Sequence, residues 1–483
     1  MLFNSFQFAL FFPLVVFLYV VAPHRLRWVI LLLASCVFYM AFIARYILIL
    51  GFTIVIDYCA GLVIERSEGA TRRRWLIVSI LANCGVLALF KYYGFFRENL
   101  AYIARALDWN YSLPALSIIL PIGLSFHTFQ AMSYTIEVYR GNQRAECHFG
   151  IFALYVMFFP QLVAGPIERP QNLLHQFHKR YQFDYEQTVG GLRLMLWGFF
   201  KKIAIADNAA IVAGEVFDHA RSYHGAPLLI GVVMFAFQIY GDFSGYSDIA
   251  RGAARILGFD LMRNFDCPYF AVSIPDFWRR WHISLSTWFR DYLYIPLGGN
   301  RTSLWRRNVN LLGVFLISGL WHGASWTFVL WGALHGFYVV VSRTTTEVRD
   351  RIYASFSRIA IVRPFVSAFI TFMLVCVAWT FFRANRISDA FYMVGNMFVD
   401  LQYAGEDSAA LLSRIALSPT ELVLLLSGIV ILLFAEWMHE HHWSLASLSI
   451  WPAPLRWAGY YAVVFWLVFF GFAGTKQFIY FQF

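Results

Sequence analysis

From Leu311 to Val341 the chain carries no Lys, Arg, Asp or Glu, and the run is too long to be one simple crossing of a bilayer, for which ~20 residues suffice. Within it stands Trp321-His322-Gly323. An imidazole at that depth is costly unless it faces a cavity or has a partner, so His322 is a functional-site candidate by default. The alternative is a structural histidine that hydrogen-bonds a neighbouring helix. Trp321, Trp326, Phe328 and Trp331 make the surroundings bulky, while Gly319, Gly323, Gly332 and Gly336 permit close helix approach.

Composition fixes the solvent. With 60% hydrophobic residues, 14% charged and a mean hydropathy of +0.59, the chain departs far from the ~25% charged residues of soluble domains. It reads as an all-α polytopic protein over residues 1–483, with the lipid bilayer as its partner. The net charge of +10 comes from 38 Lys+Arg against 28 Asp+Glu. Basic residues gather between apolar spans, at Arg72-Arg73-Arg74, Lys201-Lys202 and Arg306-Arg307, which indicates loop orientation rather than nucleic-acid binding. The six cysteines form no CxxC pair and no disulfide or zinc framework, so no metal is expected. Phe6 to Ala22 is the first apolar run, and no Lys or Arg precedes it. It is expected to be a first span rather than a cleaved leader. Arg25 and Arg27 follow it, placing that loop inside and the N-terminus outside a cytoplasmic membrane.

The next spans are expected at Trp28–Ala44 and Tyr46–Ile64, then at about 75–93, 115–139, 149–166, 188–213, 226–257, 309–342, 359–383, 420–436 and 457–474. At ~20 residues per span this amounts to roughly eleven or twelve helices. Leu120-Pro121-Ile122-Gly123, Phe159-Pro160 and Ala164-Gly165-Pro166 interrupt apolar runs. Such breaks are tolerated at membrane depth only where the backbone is buried in protein or lines a cavity, which implies re-entrant or broken helices. From Asp276 the apolar positions Phe277, Trp281, Trp288 and Phe289 fall partly at helical spacing, with Arg279 and Arg280 on another face. This predicts an interfacial amphipathic region at about 275–305, its aromatics at the acyl boundary. A second polar cluster, Gln238 to Asp248, places two carboxylates, two tyrosines and two serines in an apolar segment. Asp242 and Asp248 there need either a wet cavity or a basic partner such as Arg251, Arg255 or the Arg279-Arg280 pair.

Taken together, Phe277-Trp278-Arg279-Arg280-Trp281-His282-Ile283-Ser284, Arg290-Asp291-Tyr292-Leu293-Tyr294-Ile295, Leu297-Gly298-Gly299-Asn300-Arg301 and Gly319-Leu320-Trp321-His322-Gly323 resemble the membrane-bound O-acyltransferase family. Within it the resemblance is to the bacterial branch containing the alginate and peptidoglycan O-acetyltransferase membrane subunits. Pro121 through Phe126, Tyr139-Arg140-Gly141, Ala164-Gly165-Pro166 and Tyr240 through Asp248 extend the likeness over nearly the whole chain. The resemblance implies a ring of helices around a central tunnel, His322 as the catalytic residue, acetyl-CoA as a cytoplasmic donor and a polysaccharide acceptor on the far side. It also implies a periplasmic or extracellular SGNH-type transferase as partner, since no soluble domain here is large enough to bind a polymer. His127 departs from the family pattern, where relatives commonly carry Tyr, and is expected to pack or hydrogen-bond.

The residue types agree with acyl transfer. A base must take a proton from the incoming hydroxyl, and imidazole titrates at about 6.5 when unperturbed. Nearby hydroxyls and the indole N–H groups of tryptophans such as Trp321 would polarise the thioester carbonyl. Trp281, Asp242 and Asp248 are further substrate-site candidates, and Arg279, Arg280 and Arg301 suit the phosphates of CoA. The chain ends Phe478-Ile479-Tyr480-Phe481-Gln482-Phe483. This FxYxxF pattern resembles the C-terminal motif of the small acyl-accepting partner in teichoic-acid D-alanylation, which would make Tyr480 a transient acyl carrier. An aromatic belt anchoring the last helix is the alternative. Broken helices and buried aspartates would also suit a transporter, recognisable by flux without covalent acetyl capture, or a scaffold of a polysaccharide export complex.

Overall fold

Apolar runs of membrane length become helices because lipid offers no hydrogen-bond partners to the backbone. The computed structural model describes residues 1–109, 114, 121–355, 362–443 and 451–470. Among the described residues every regular element is helical. The chain begins with α1 (Phe6–Val21), whose first turn is capped by the Ser5 hydroxyl accepting from the Phe8 amide, and α2 (His24–Ile43). A single 3₁₀ turn then leads into α3 (Ile47–Arg66). Next come α4 (Gly69–Leu87), α5 (Tyr93–Ala106), α6 (Leu124–Arg140), α7 (Phe149–Met157), α8 (Phe159–Leu162) and α9 (Pro170–Leu173). The middle of the chain holds α10 (Tyr185–Phe199), a π-helical segment Phe200–Ala206, α11 (Asp207–Asp218) and α12 (Ala226–Ile256). It continues with α13 (Ile274–Arg280), α14 (Ile283–Phe289), α15 (Leu304–His322), α16 (Trp326–Thr344), α17 (Thr346–Ser355) and α18 (Arg363–Arg383). The last are α19 (Ile387–Asn396), α20 (Ala404–Arg414), α21 (Pro419–Glu440) and α22 (Ala453–Phe470).

By length and composition, five helical runs among the described residues suit a membrane span: His24–Arg66, Gly69–Ala106, Ala226–Ile256, Arg363–Arg383 and Pro419–Glu440. Phe6–Val21 is a shorter apolar helix. Contacts divide the chain into two compact units, one of Met1–Met195 with Tyr246–Arg263, the other of Leu196–Gly245 with Asn264–Phe483.

The first unit is knit by buried polar groups. Asp57 on α3 accepts from Ser79 on α4 at 2.6 Å and from Asn83 at 2.9 and 3.0 Å, and Ser79 also meets Thr135 on α6 at 2.9 Å. These bonds satisfy a carboxyl that would otherwise be prohibitive in an apolar bundle. The basic run Arg72-Arg73-Arg74 opens α4, and Arg72 donates to the carbonyls of Val138 and Tyr139 at 3.2 and 2.6 Å, closing the C-terminus of α6. The interruption expected at Phe159-Pro160 is present: Phe158 (ψ 110°) separates α7 from α8, and every residue from Gly150 to Glu168 is buried. Broken backbone thus sits inside protein, as the lipid rule demands. Gly123, at φ 75°, precedes α6, where a Cβ would press on the Leu162 carbonyl oxygen at 2.6 Å. Of the interruption at Leu120-Pro121, Leu120 lies outside the described residues.

In the second unit, two expectations are corrected. Segment 276–289 is not one amphipathic helix: α13 and α14 are separated by Trp281 and His282, and His282 adopts a left-handed φ of 44°. Phe277, Trp281, Trp288 and Phe289 are buried in protein rather than laid against lipid. Lys201 and Lys202 are likewise buried, within the π-helical segment, rather than marking a loop. The uncharged run does resolve into two helices, α15 and α16, split at Gly323-Ala324-Ser325, where the Ser325 hydroxyl caps α16. They meet along a glycine seam. A Cβ at Gly319 would overlap the Phe328 carbonyl, and one at Gly332 the Phe315 carbonyl.

Candidate functional site

His322 closes α15 and is 4% exposed. Its ring is held edge-on by three aromatics: Trp321 at 4.9 Å, Trp331 at 5.0 Å and Phe382 at 5.4 Å between centroids. The glycine seam is what lets Trp331 on α16 come this close. Trp331 is fully buried, and its indole nitrogen has no hydrogen-bond acceptor among the described residues. A buried donor of that kind beside an imidazole is suited to an oxyanion developing on a bound acyl group.

Two further histidines belong to this region, and sequence reasoning missed both. His335 lies on α16, fully buried; Trp278 Nε1 donates to its Nδ1 at 3.2 Å, and its ring is 4.9 Å from Trp331. The bond leaves the proton on Nε2, which has no partner among the described residues. The signal was available, because His335 falls in the same uncharged run as His322. His282 is also fully buried, with its ring 4.6 Å from Phe243 and 6.4 Å from His322. Its left-handed backbone turns the chain sharply between α13 and α14, and no periodicity in the sequence announces that turn.

Trp281 joins the same aromatic group through Trp379, at 5.1 Å, which stacks on Trp331 at 5.9 Å. Asp242 is elsewhere in this unit: the Lys202 ammonium bridges Asp242 at 2.8 Å and Asp207 at 2.9 Å, all three side chains buried. Its cation is therefore Lys202, not one of the arginines expected. Asp248, in the first unit, pairs with Arg251 at 3.4 Å on the same helix, as the structural alternative anticipated. Arg279 and Arg301 are exposed. Arg280 is half-buried and forks onto Glu440 at 2.7 and 2.9 Å, with Asp276 at 3.2 Å, so its donors are largely engaged by protein carboxylates. Tyr480, with the motif 478–483, lies outside the described residues.

A buried histidine at the end of α15, boxed by Trp321, Trp331 and Phe382 inside an all-helical protein with several helices of membrane length, is the candidate site that the geometry offers. The description "MBOAT, membrane-bound O-acyltransferase family" matches residues 142–383, a stretch that includes His282, His322, His335 and the Lys202 cluster. The chain is 40% identical to the probable alginate O-acetylase AlgI of Azotobacter vinelandii over 82% of its own length and 77% of the relative's. It is 37% identical to the peptidoglycan O-acetyltransferase of Helicobacter pylori, over 80% and 77%. A teichoic acid D-alanyltransferase of Bacillus subtilis matches at 29% over 46% of this chain and 58% of that protein. The chain belongs to the membrane-bound O-acyltransferase family and is a multi-pass acyltransferase.

Proposed function

We propose that this protein O-acetylates a cell-envelope or extracellular polysaccharide, taking acetyl groups from cytoplasmic acetyl-CoA across the inner membrane. The observation that carries this reading is the buried His322, edge-on to Trp331, in a chain about two-fifths identical to proteins named as polysaccharide O-acetylases. In this reading His322 accepts the proton of the attacking hydroxyl as the oxygen bonds to the thioester carbon. The Trp331 N–H steadies the developing oxyanion, and the thiolate of CoA departs. A tunnel past His322 joins the two faces, and Arg279 and Arg301 attract the CoA phosphates. The positive turn at Arg25 and Arg27 faces the cytoplasm, with the N-terminus outside. Tyr480 receives the acetyl group as an aryl ester and passes it to a periplasmic SGNH-type transferase, which acts on the polymer.

The test is release of free CoA thiol from acetyl-CoA by the protein in lipid vesicles, beside its His322→Ala variant. Release by the wild type alone supports the reading. Flux of a small solute with no thiol released by either protein would replace it with transport.

A further inference from the structure

The first unit contains a cavity that the acyl-transfer reading does not use. It has a volume of about 290 Å³ and opens where α1 and α2 are joined. Its mouth is basic: His24, Arg25, Arg27 and Lys179 line it. Its buried lining is apolar, with Leu31, Leu154, Phe177 and Phe259, and Trp28 lines it as well.

The basic groups play different parts. Arg27 is structural, because its guanidinium donates to the carbonyls of Tyr19, Val20, Ala22 and Tyr181 at 3.1–3.3 Å, holding the turn after α1 against the segment around Tyr181. Its charge remains, but its donors are taken. Arg25 and Lys179 are exposed and reach the mouth from two separate segments. The third contribution is the start of α2, whose N-cap is Pro23 and whose first turn has no side-chain cap. His24 and Arg25 line the cavity from that turn, so the positive end of the helix dipole borders it. The acidic group nearby is Glu146, and it is occupied by His178 at 2.8 Å.

We propose that the basic mouth and apolar wall between α1, α2 and the segment around Lys179 form a binding site for an anionic phospholipid, the phosphate headgroup on Arg25 and Lys179 and the upper acyl chains against Leu31 and Phe259. Three features select a lipid over a soluble phosphate compound. The cavity lies at the turn between two apolar helices, α1 and α2, and a turn joining two such helices suits the boundary between hydrocarbon and headgroups. It is amphiphilic in the same order as a lipid, charge outside and apolar surface inside. Its volume of about 290 Å³ falls just under the ~300–1,000 Å³ range of drug-sized ligand pockets, enough for a headgroup and cramped for a nucleotide. Basic pockets between membrane helices recognise anionic headgroups by the same charge pairing. The site is independent of the acetyl-transfer reading, since none of its groups enters that chemistry.

The experiment is native mass spectrometry of the full-length protein in detergent micelles titrated with dioleoyl-phosphatidylglycerol or, separately, dioleoyl-phosphatidylcholine. The variant is Arg25→Gln with Lys179→Gln; the control is Arg73→Gln with Arg74→Gln, which removes equal charge from exposed positions at the start of α4. Wild type and control are expected to retain one phosphatidylglycerol that the test variant binds roughly 25-fold more weakly, about fivefold per basic group removed. All three are expected to bind phosphatidylcholine weakly and alike. Equal phosphatidylglycerol retention by wild type and test variant overturns the proposal, as does equal retention of the two lipids by wild type. Displacement of the bound lipid by inorganic phosphate at equal concentration would assign the cavity to free phosphate instead. Both substituted residues are exposed, so folding is not at stake, and a monodisperse elution profile checks it.

Discussion

The rings of His322 and Trp331 meet edge to face, 5.0 Å between centroids and 81° between planes, and so join the last residue of α15 to the second turn of α16. The two helices also pack along the Gly319–Gly332 seam, so replacing the imidazole removes the proposed base and one ring contact while leaving that seam in place. His322→Gln is expected to lower acetyl transfer by about 10²–10⁴-fold, the usual worth of a positioned general base, while the variant purifies as a folded membrane protein. Acetyl-ester content of the polymer and thiol release from acetyl-CoA read the effect. Normal transfer by the folded variant would remove His322 from the chemistry.

Trp278 is expected to act through His335. Trp278→Phe keeps an aromatic ring but deletes the N–H donated to Nδ1, leaving a buried acceptor unsatisfied at a cost of about 1–3 kcal/mol. A lowered melting temperature in detergent is the expected readout. His335→Leu in the same background should add little further loss, because the two side chains share one interaction. Additive losses would mean that the hydrogen bond is not what couples them.

The buried Lys202 cluster makes a sharper stability prediction. Lys202→Met strands two carboxylates without their shared cation, and loss of one partner from a buried ionic group typically costs about 3–5 kcal/mol. Combining Lys202→Met with Asp207→Asn and Asp242→Asn should recover most of the folded yield, since none of the three substituted groups then carries a charge. Fluorescence-detected size-exclusion chromatography after heating ranks the variants. A triple variant as unstable as Lys202→Met alone would show that packing, not charge, governs this region.

For Tyr480 the decisive change is to Phe, which keeps the ring and removes the hydroxyl. If the residue carries the acetyl group, polymer acetylation should disappear at normal protein abundance while thiol release continues only as slow hydrolysis. Substantial polymer acetylation by Tyr480→Phe would leave the aromatic belt as the role of the C-terminal motif and would leave His322 unaffected.

The sequence made some of this architecture legible and concealed the rest, for reasons of range. His322 stood out because a titratable group in an uncharged run is unusual whatever surrounds it, and His335 met the same criterion unnoticed. The division of the run into α15 and α16 followed from its length, and the break before Pro160 from proline chemistry. The turn at His282 was hidden because histidine tolerates a left-handed backbone without requiring one, and the partial helical spacing on either side read through it. Lys202 was misread because basic pairs usually mark loops, whereas its second carboxylate, Asp242, comes from a distant helix that no local pattern connects to it.

That ionic cluster also constrains biosynthesis. As the chain leaves the ribosome, Lys202 and Asp207 emerge together, five positions apart, and can neutralise each other as soon as the π-helical segment forms. Asp242 comes later, in the middle of the long apolar α12, with no basic residue between Ala226 and its own position. Entering lipid alone, it would carry an uncompensated charge. The π-helical segment and α11 precede α12 in the chain, so the order of synthesis supplies the Lys202 cation before the carboxylate that pairs with it in the folded protein.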